Sequence, residues 1–294
     1  MTNISASLVA ELRNKTGLGM MECKKALVES NGDLSKAEEI LRIKSGNKVN
    51  KLSSRTAVEG LVLAKVATNQ RQAVMIEINC ETDFVAKEKV FVDFANDVAD
   101  ALLANNNINN LEQLTKELVI NQLSYQESLS ALISKLGENV SIRRFYHLEV
   151  EQGILASYVH FGKIGVIVHI SGDDITLGKD IALHIAANKP PYLNDKEIDA
   201  EILNKERDIY AQQAQSSSKP AEIIEKIIEG KLDKYIQENT LLGQSFVKNS
   251  DISVSALLKQ HHAQVFQFKL FILGDGLIKK ESDFAAEVAS IANK

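Results

Sequence analysis

The feature that most constrains the fold is an internal repeat of a strand–turn–strand–helix pattern. Each copy opens with a residue pair that ends in glycine, Glu59-Gly60 in the first and Gln152-Gly153 in the second. The apolar runs and helical segments that follow are 61–67, 73–80 and 91–103, and then 154–161, 164–171 and 176–188. Short apolar runs joined by a polar turn predict a β-hairpin. The sequence therefore predicts the same hairpin-and-helix unit twice.

One further strand closes each copy much later in the chain, at 140–150 and at 264–273. Two three-stranded antiparallel sheets, each backed by helices, predict an α+β fold. We expect a core N-lobe at 58–150 and a core C-lobe at 151–280. A duplicated body with two lobes favours a binding function over a catalytic one.

Residues 1–50 carry apolar positions at helical spacing and predict three short helices. These helices run over 5–15, 20–30 and 33–45, with glycine or asparagine at each break. Fifty residues make only a marginal core, so this part is expected to be a small docking module. Its two adjacent methionines, Met20 and Met21, suit either a small core or an adaptable contact surface, and their spacing alone does not decide between the two roles. The basic, polar stretch from Lys44 to Arg55 is interpreted as a linker that runs to about residue 57.

A helical hairpin is predicted as an insertion in the second copy, at residues 194–237. Its two helical segments are separated by a break at 216–220, where Pro220 suits the first turn of the second helix. Narrow apolar stripes on otherwise charged helices are typical of an antiparallel coiled coil. With roughly 20 residues in each arm, the hairpin would extend about 30 Å. We expect it to contact another protein or a second copy of itself.

The most informative local segment is the corner Glu81–Glu88, between the second strand and the helix of the first copy. Thr82 is suited to cap a helix, and Asp83 then lies in the first turn, where the helix dipole favours an anion. A large apolar ring such as Phe84 is unexpected at a solvated helix start. The second copy reads Gly-Asp-Asp-Ile at 172–175 and has no acid–aromatic pair. The repeat therefore does not require Phe84, which we interpret as a probe for a partner.

Composition argues against several classes of function. The net charge of −5 and the absence of tryptophan disfavour direct nucleic-acid binding, which relies on basic patches and stacking rings. The longest apolar runs, such as 164–170, are too short to cross a membrane. Residues 1–5 lack the charged region and apolar core of a signal peptide, and the two cysteines form no CxxC pair. We expect a cytoplasmic protein with reduced cysteines.

The motifs predict no catalytic centre, no metal site and no cofactor. Two G-x-G segments, at 17–19 and 274–276, lack the context or the third glycine of a dinucleotide site. The six histidines show no metal-binding spacing. Cys80 has no neighbouring base, so a small buried residue is its expected role, as for the other cysteine. Glu81 and Asp83 are interpreted as helix-end charges rather than as the paired acids of a hydrolase.

Several of these segments together resemble the bacterial elongation factor Ts family. The segments are Leu12 with Thr16–Leu27, Asn31–Asp33, Glu81–Ala86, His184–Ala187 with Pro190, and Asp283–Ala289. The resemblance extends over essentially the whole chain, and its motifs are specific. Members of that family are nucleotide exchange factors of the GTPase elongation factor Tu. The resemblance implies the same function and partner, without a cofactor and without hydrolytic or transfer chemistry.

The resemblance also implies an architecture and a set of contacts. The N-terminal helices would resemble ubiquitin-associated domains, the hairpin would serve dimerisation, and a C-terminal helical module would occupy 281–294. The residues implied to enter the GTPase domain and dislocate its magnesium ion are Thr82, Asp83, Phe84 and Val85. The other implied partner contacts are Leu12, Met20, Met21, His160 and Phe284. Of these, His160 is also placed at a hairpin tip by the strand pattern alone.

Two positions depart from the family pattern, and both lie outside the corner. Lys163 stands where many members carry arginine. Ser245 replaces the proline of the common Gln-Pro-Phe segment. These departures concern a loop and one charge contact.

Two other classes of function stay open on the sequence. The basic stretch from Lys44 to Arg55 would suit an accessory protein that binds RNA or the ribosome. Cys80 and Asp83 would be the candidate residues of a thiol or acid–base enzyme.

Overall fold

Residues 4–215 and 220–277 are described by the computed structural model of the protein. The predicted C-terminal module at 281–294, which includes Phe284, lies outside these ranges, as do residues 216–219 of the predicted hairpin break. Helices and small antiparallel sheets make up the described chain. The mixed α and β fold expected from the repeat is therefore confirmed.

The described elements are numbered in chain order. The helices are α1 Ala6–Thr16, α2 Met20–Glu29, α3 Leu34–Leu52, α4 Asp83–Lys87, α5 Lys89–Leu103, α6 Leu111–Glu117, α7 Tyr125–Leu136, α8 Ile175–Asn188, α9 Ala200–Gln215, α10 Ala221–Asn239 and α11 Val254–Gln260. The strands are β1 Glu59–Val66, β2 Gln72–Cys80, β3 Val119–Ile120, β4 Leu123–Ser124, β5 Ser141–Glu149, β6 Ile154–His160, β7 Ile164–Ile170, β8 Ser245–Phe246, β9 Asn249–Ser253 and β10 Val265–Ile272. A short 3₁₀ turn, Asp195–Glu197, precedes α9.

The first three helices form a module with its own apolar core. Ser5 caps α1, because its hydroxyl accepts a hydrogen bond from the Leu8 N–H at 3.2 Å. The helix ends at Gly17, whose φ of 68° is the left-handed conformation that glycine favours. The buried core consists of Val9, Leu12, Leu18, Cys23, Ala26, Leu27, Ala37 and Leu41. The three predicted helices are confirmed, while the likeness to ubiquitin-associated domains stays a prediction.

The prediction that the third helix ends before Gly46 is wrong, because α3 continues to Leu52. A glycine inside a helix costs about 1 kcal/mol relative to alanine. The added turns bring Leu52 into a buried position, and α3 packs against α7. Burying a leucine contributes about 1.5–3 kcal/mol, which outweighs the cost of the glycine. Most of the predicted linker is therefore helical.

The two hairpins and their closing strands are present as predicted. One three-stranded sheet has the order β1-β2-β5 and the other has the order β6-β7-β10. In each sheet the second strand of the hairpin is central. Strands β6 and β7 pair antiparallel, with Ile154 opposite Ile170 and His160 opposite Ile164. The shared strand order supports the duplication inferred from the sequence.

Each three-stranded sheet has a glycine near its start that is subject to the same steric constraint. A β-carbon at Gly60 would lie 2.0 Å from the carbonyl oxygen of Ile78. A β-carbon at Gly153 would lie 2.2 Å from the carbonyl oxygen of Ile170. Both glycines also have a positive φ, of 136° and 69°. Only glycine fits such a close approach of two backbones, which explains why both copies open with it.

Helices accompany both sheets, as the repeat predicts. Helix α8 packs against β6 and β7 with a buried face that includes Ile181 and Ile185. Helix α5, which follows the first hairpin, also has a buried apolar face, and this face includes Phe91 and Val98. The corner and this helix are not continuous, because Glu88 has extended torsions (φ −64°, ψ 133°) and separates α4 from α5.

A buried charge cluster lies on the first sheet. Glu77 of β2 is fully buried, and its carboxylate accepts hydrogen bonds from Arg143 at 2.9 Å and from Arg144 at 2.5 Å. The Gly274 N–H donates to the same carboxylate at 2.9 Å. Burial alone would raise the pKa of Glu77, but these donors outweigh it and lower the pKa overall. The cluster fastens the chain around Gly274 to the strand.

The predicted helical hairpin is present as the pair α9 and α10, which pack against each other. Arg207 of α9 pairs with Glu225 of α10 at 2.6 Å, and the Lys231 ammonium lies 5.2 Å from the centre of the Tyr210 ring. Pro220 caps α10 instead of lying in its first turn. The description of this pair as a coiled coil stays a prediction.

The chain divides into two compact units. The first comprises the described residues up to Leu63, Ile76–His147 and those from Ile272 onward, and the second comprises Ala64–Met75 and Leu148–Phe271. The sequence patterns assign no element to 104–139, where α6, α7 and the β3–β4 hairpin lie. They also miss β8, β9 and α11. The predicted domain boundaries stay predictions.

Candidate functional site

The corner between β2 and α4 presents an exposed ring on a fixed backbone. Thr82 has extended torsions, and its hydroxyl accepts a hydrogen bond from the Val85 N–H at 3.3 Å, so the predicted helix cap is confirmed. Val85 is buried and anchors the short helix, whereas Phe84 is 78% exposed. The Phe84 ring therefore faces outward and is not part of the core. The ring is therefore accessible to a partner.

The corner is held by Glu138, a residue that the sequence patterns do not single out. One carboxylate oxygen of Glu138 accepts hydrogen bonds from the Glu81 N–H at 3.1 Å and the Thr82 N–H at 3.0 Å. The other oxygen accepts the Thr82 hydroxyl at 2.6 Å. Glu138 follows Gly137, which ends α7 with a φ of 77°. Its partners are 56 and 57 residues away in sequence, so no local pattern could indicate the contact.

The Glu81 side chain ties the corner to neighbouring loops. Its carboxylate accepts the Asn139 N–H at 2.7 Å and pairs with the Arg55 guanidinium at 3.5 Å. The Asn139 amide donates in turn to the carbonyls of Arg55 and Ser53, at 2.7 and 3.4 Å. The end of β2, the turn after α7 and the turn after α3 are thereby joined in one network.

Asp83 faces solvent and pairs with Lys87 one helical turn later, at 2.6 Å. The two side chains are 48% and 74% exposed, so the pair contributes about 0–1 kcal/mol at most. Glu81 and Asp83 thus engage different partners. That arrangement supports the interpretation as helix-end charges over the alternative of paired catalytic acids.

The equivalent corner of the second copy, residues 172–175, has no exposed apolar ring of its own. Asp174 caps α8, and its carboxylate accepts the Leu177 N–H at 2.9 Å and contacts His261 at 3.2 Å. The Leu177 N–H is the main cause that lowers the pKa of Asp174, and His261 adds to it. Ile175, which follows the cap, is half-buried. The expectation that this corner has no acid–aromatic pair is confirmed.

Helix α2 carries a second exposed apolar surface. Met20 is 56% exposed, Met21 is 62% exposed and Val28 is 55% exposed. Met21 and Val28 are seven residues apart and lie on one face of the helix. Of the two roles open to the methionines, the structure favours the contact surface, because Leu12 and its neighbours form the core and both methionines are exposed. Leu12 itself has no exposed surface.

The turn between β6 and β7 places His160 at a hairpin tip, as predicted. The His160 Nδ1 atom lies 3.1 Å from the Tyr158 hydroxyl oxygen. Phe161 follows with a φ of 47° and is 88% exposed, and its ring centre lies 4.4 Å from that of His160. The Lys163 N–H closes the turn on the His160 carbonyl at 2.9 Å. Sequence reasoning missed Phe161, although an apolar residue directly before the Gly-Lys turn was a usable signal.

Ser245 is one of the two departures from the family pattern. Its neighbours in sequence, Gln244, Phe246 and Val247, contact the buried side chain of His184. His184 is buried on α8, its Nε2–H donates to Gln244 at 3.0 Å, and its Nδ1 accepts the Val247 N–H at 3.1 Å. Phe246 is buried, with its ring centre 5.9 Å from that of His184. Burial lowers the pKa of His184, although the bond to Gln244 opposes this. Ser245 itself is exposed on β8 and lies opposite Ser253 of β9.

The residues behind the two alternative functions have structural roles. Cys80 is buried, as expected, and its thiol donates to the Thr82 carbonyl at 3.1 Å. Within 4–215 and 220–277, no group of three or more histidine, cysteine and acidic side chains could hold a metal ion. In the basic stretch, Lys44 pairs with Glu29 at 2.6 Å and Arg55 pairs with Glu81. These contacts weaken the case for an enzyme and for a phosphate-binding segment.

None of the helices in the described part of the chain combines the length and the apolar character needed to cross a membrane.

Comparisons with known proteins cover nearly the whole chain. A family model described as Elongation factor TS matches residues 81–275, more than half of the 294 residues. The elongation factor Ts of Nitrosospira multiformis is 50% identical over 290 residues, which are 98% of this chain and 96% of that protein. The elongation factors Ts of Chromobacterium violaceum and Methylococcus capsulatus are 48% and 46% identical. These matches cover 99% and 97% of this chain and the same shares of the two relatives.

Proposed function

The chain belongs to the elongation factor Ts family of translation elongation factors, and from this premise we propose that it is the guanine-nucleotide exchange factor of elongation factor Tu. It binds the GTPase in the GDP-bound state, promotes release of GDP and leaves the site free for GTP. It acts in the cytoplasm and carries out no hydrolytic or transfer chemistry of its own.

The observation that carries this proposal is the exposed ring of Phe84 on a clamped corner. The ring is 78% exposed, while Val85 beside it is buried. A free apolar ring on a rigid support is suited to insert into another protein, because little conformational freedom is lost on binding. The second copy of the fold has no such ring at its corner. The fold therefore does not require Phe84, and we attribute the ring to the function of the site.

We propose a division of work between Phe84 and Asp83. Phe84 inserts between elements of the GTPase domain, and Asp83 disturbs the groups that position the magnesium ion. The pair between Asp83 and Lys87 is exposed and weak, so the carboxylate can change partner at little cost. Loss of the ion leaves the negative charge of the phosphates uncompensated, and GDP dissociates.

Thermodynamic linkage supplies the reciprocal side of the mechanism. If the factor weakens GDP binding by a given ratio, GDP must weaken binding of the factor by the same ratio. Full burial of a phenylalanine ring contributes about 1.5–3 kcal/mol, or roughly two decades in a rate at most. Larger accelerations require contacts distributed over several surfaces.

The further contacts that we propose lie on α2 and on the β6–β7 turn. Met20 and Met21 offer exposed, adaptable thioether side chains, which suit an apolar contact surface. Leu12 contributes by filling the core beneath them. His160 contributes from the hairpin tip. Phe284, the remaining contact implied by the family, lies outside the described residues.

The proposal is tested by stopped-flow release of labelled GDP from elongation factor Tu, with and without this protein. We expect release to accelerate with increasing concentration of the protein and then to reach a plateau. A heat-denatured sample of the protein is the control. Release at the spontaneous rate over the whole concentration range would contradict the proposal.

We also propose that the α9–α10 pair mediates self-association. Each helix is long and has partly buried apolar positions, and exposed Ile209 and Ile223 remain available on the pair. The partner that we propose is a second copy of this protein, because it presents the same helix pair with apolar and charged residues at the same positions. A deletion of residues 200–237, which removes most of both helices, tests this proposal.

A further inference from the structure

We propose that Glu138 is a positioning residue for nucleotide exchange: it fixes the Glu81–Thr82 backbone so that Phe84 is presented to the GTPase. The inference rests on the exchange function proposed above and deepens it. Glu138 is half-buried in the loop after α7 and contacts the corner through three hydrogen bonds. It acts through the corner and does not itself meet the partner.

The three bonds require a carboxylate. All three groups that face Glu138 are donors: the N–H groups of Glu81 and Thr82 at 3.1 and 3.0 Å, and the Thr82 hydroxyl at 2.6 Å. An ionised carboxylate accepts at both oxygens, whereas the amide of a glutamine has one oxygen and one NH₂ donor. Glutamine at position 138 would place its NH₂ either against the two N–H groups, as donor against donor, or against the Thr82 hydroxyl, which would then have to accept and turn its own proton away.

The hydroxyl bond links Glu138 to the start of α4. A threonine hydroxyl carries one proton, and Thr82 gives it to Glu138. The lone pairs of the same oxygen are then directed to the Val85 N–H, which they accept at 3.3 Å. Glu138 thus controls the orientation of the helix cap. Phe84 lies between the two residues that this arrangement fixes, Thr82 and Val85.

Glu138 is itself held from both sides of its backbone. Gly137 ends α7 in the left-handed conformation, and the Asn139 N–H donates to Glu81 at 2.7 Å. The Asn139 side chain is anchored on the Arg55 carbonyl at 2.7 Å. The carboxylate therefore arrives at the corner from a rigid support. The second copy closes its corner with Asp174 from within the corner, so an external carboxylate is not a general need of the fold.

The experiment compares wild type, Glu138→Gln and the control Glu112→Gln in GDP release from elongation factor Tu. Glu112 is an exposed residue of the same unit, paired with Lys116 on the surface. The maximal release rate at saturating factor is measured separately from the half-saturating concentration. We expect Glu138→Gln to lower the maximal rate by about tenfold, the factor that corresponds to one hydrogen bond to a charged group. The control variant should retain the wild-type rate.

A double-mutant cycle with Phe84→Ala separates positioning from a general structural effect. If Glu138 acts through Phe84, adding Glu138→Gln to the Phe84→Ala variant should change the rate by less than about twofold. A full tenfold further loss in that background would overturn the proposal, as would a wild-type rate for Glu138→Gln alone. Amide hydrogen exchange should accelerate at Glu81, Thr82 and Val85 in Glu138→Gln and stay slow in the control.

A second variant keeps the test decisive if Glu138→Gln does not fold. Thr82→Val removes only the hydroxyl and keeps both N–H bonds to Glu138. It should lower the maximal rate in the wild-type background and have little effect beside Phe84→Ala. A wild-type rate for Thr82→Val would overturn the proposed role of the Thr82 hydroxyl in linking Glu138 to the start of α4. If the wild-type protein fails to accelerate release, the exchange function itself is refuted; acceleration by wild type with no loss in these variants refutes only the role of Glu138.

Discussion

Replacing Phe84 by alanine separates the proposed partner-binding role of this side chain from any role in the fold. The ring is 78% exposed in the free protein and follows a cap that other residues hold. Truncating an exposed side chain away from such a feature changes the free energy of unfolding by no more than about 0.5 kcal/mol. The variant should therefore fold normally, and its effect should appear in the complex with elongation factor Tu.

The magnitude follows from the area that remains to be buried. Full burial of a phenylalanine side chain contributes about 1.5–3 kcal/mol, and 78% of this ring is still exposed. Insertion into the GTPase domain can then contribute about 1.2–2.3 kcal/mol to the step that displaces GDP. Because about 1.4 kcal/mol corresponds to a factor of ten, Phe84→Ala should slow GDP release by about 7-fold to 50-fold.

The assay is stopped-flow release of labelled GDP at matched occupancy of the complex, with Phe84→Leu and Val119→Ala measured in parallel. Leucine retains part of the apolar volume and should give an intermediate rate. Val119 is 59% exposed on β3 and serves as the control for loss of an exposed apolar side chain. An unchanged rate for Phe84→Ala at matched occupancy would refute the insertion mechanism. Equal losses for Phe84→Ala and Val119→Ala would refute its assignment to the corner.

Three further predictions concern stability and assembly. Glu77→Gln should lower the free energy of unfolding by about 2–3 kcal/mol, less than for a fully buried pair because its arginine partners are 26% and 31% exposed. The pKa of Glu77 is lowered from 4.5 in the folded protein. In urea titrations, the stability difference between wild type and Glu77→Gln should therefore have its full size above pH 4.5 and should shrink as the pH falls through the folded-state pKa. In the folded protein the pKa of His184 is lowered from 6.5. As the pH falls, this histidine is therefore protonated in the unfolded chain before it is protonated in the folded one. Wild type should then lose stability between pH 7 and pH 5, whereas His184→Gln should lose less; equal slopes would contradict this. Deleting residues 200–237 should reduce the mass seen by light scattering to that of one chain, and an unchanged mass would exclude self-association through α9 and α10.

The parts of the fold that the sequence predicts well are those with strong local patterns. The apolar runs that follow Gly60 and Gly153 predict both hairpins, because short apolar runs joined by a polar turn occur there directly after a glycine in both copies. The end of α3 is mispredicted because Gly46 is a local stop signal, and burial of Leu52 overrides it through tertiary packing. Residues 104–139 combine short elements with weak periodicity, so α6 and α7 are missed.

The residues of the candidate site also divide into those with a local sequence signal and those without one. Thr82, Asp83 and Phe84 are predicted because capping and exposure at a helix start depend on neighbouring residues. Glu138 is not predictable in this way, because its contacts join positions more than 50 residues apart and arise from the turn after a helix that the sequence did not indicate. Phe161 is missed for a different reason. Its φ of 47° is uncommon for an aromatic residue, so the turn pattern points to the following glycine instead.

The duplication provides an internal control for the function of the corner. Both copies need a strand to end and a helix to begin, and the second copy meets that need with the carboxylate of Asp174 on the Leu177 N–H. The first copy uses the Thr82 hydroxyl for the same purpose and adds the carboxylate of Glu138. A cap alone contributes about 1 kcal/mol, and either copy obtains it. The additional hydrogen bonds from the Glu81 and Thr82 N–H groups to Glu138 therefore go beyond what a helix cap alone requires. They hold in place a corner whose exposed ring is unfavourable in water, and this combination supports the proposal that a partner buries the ring.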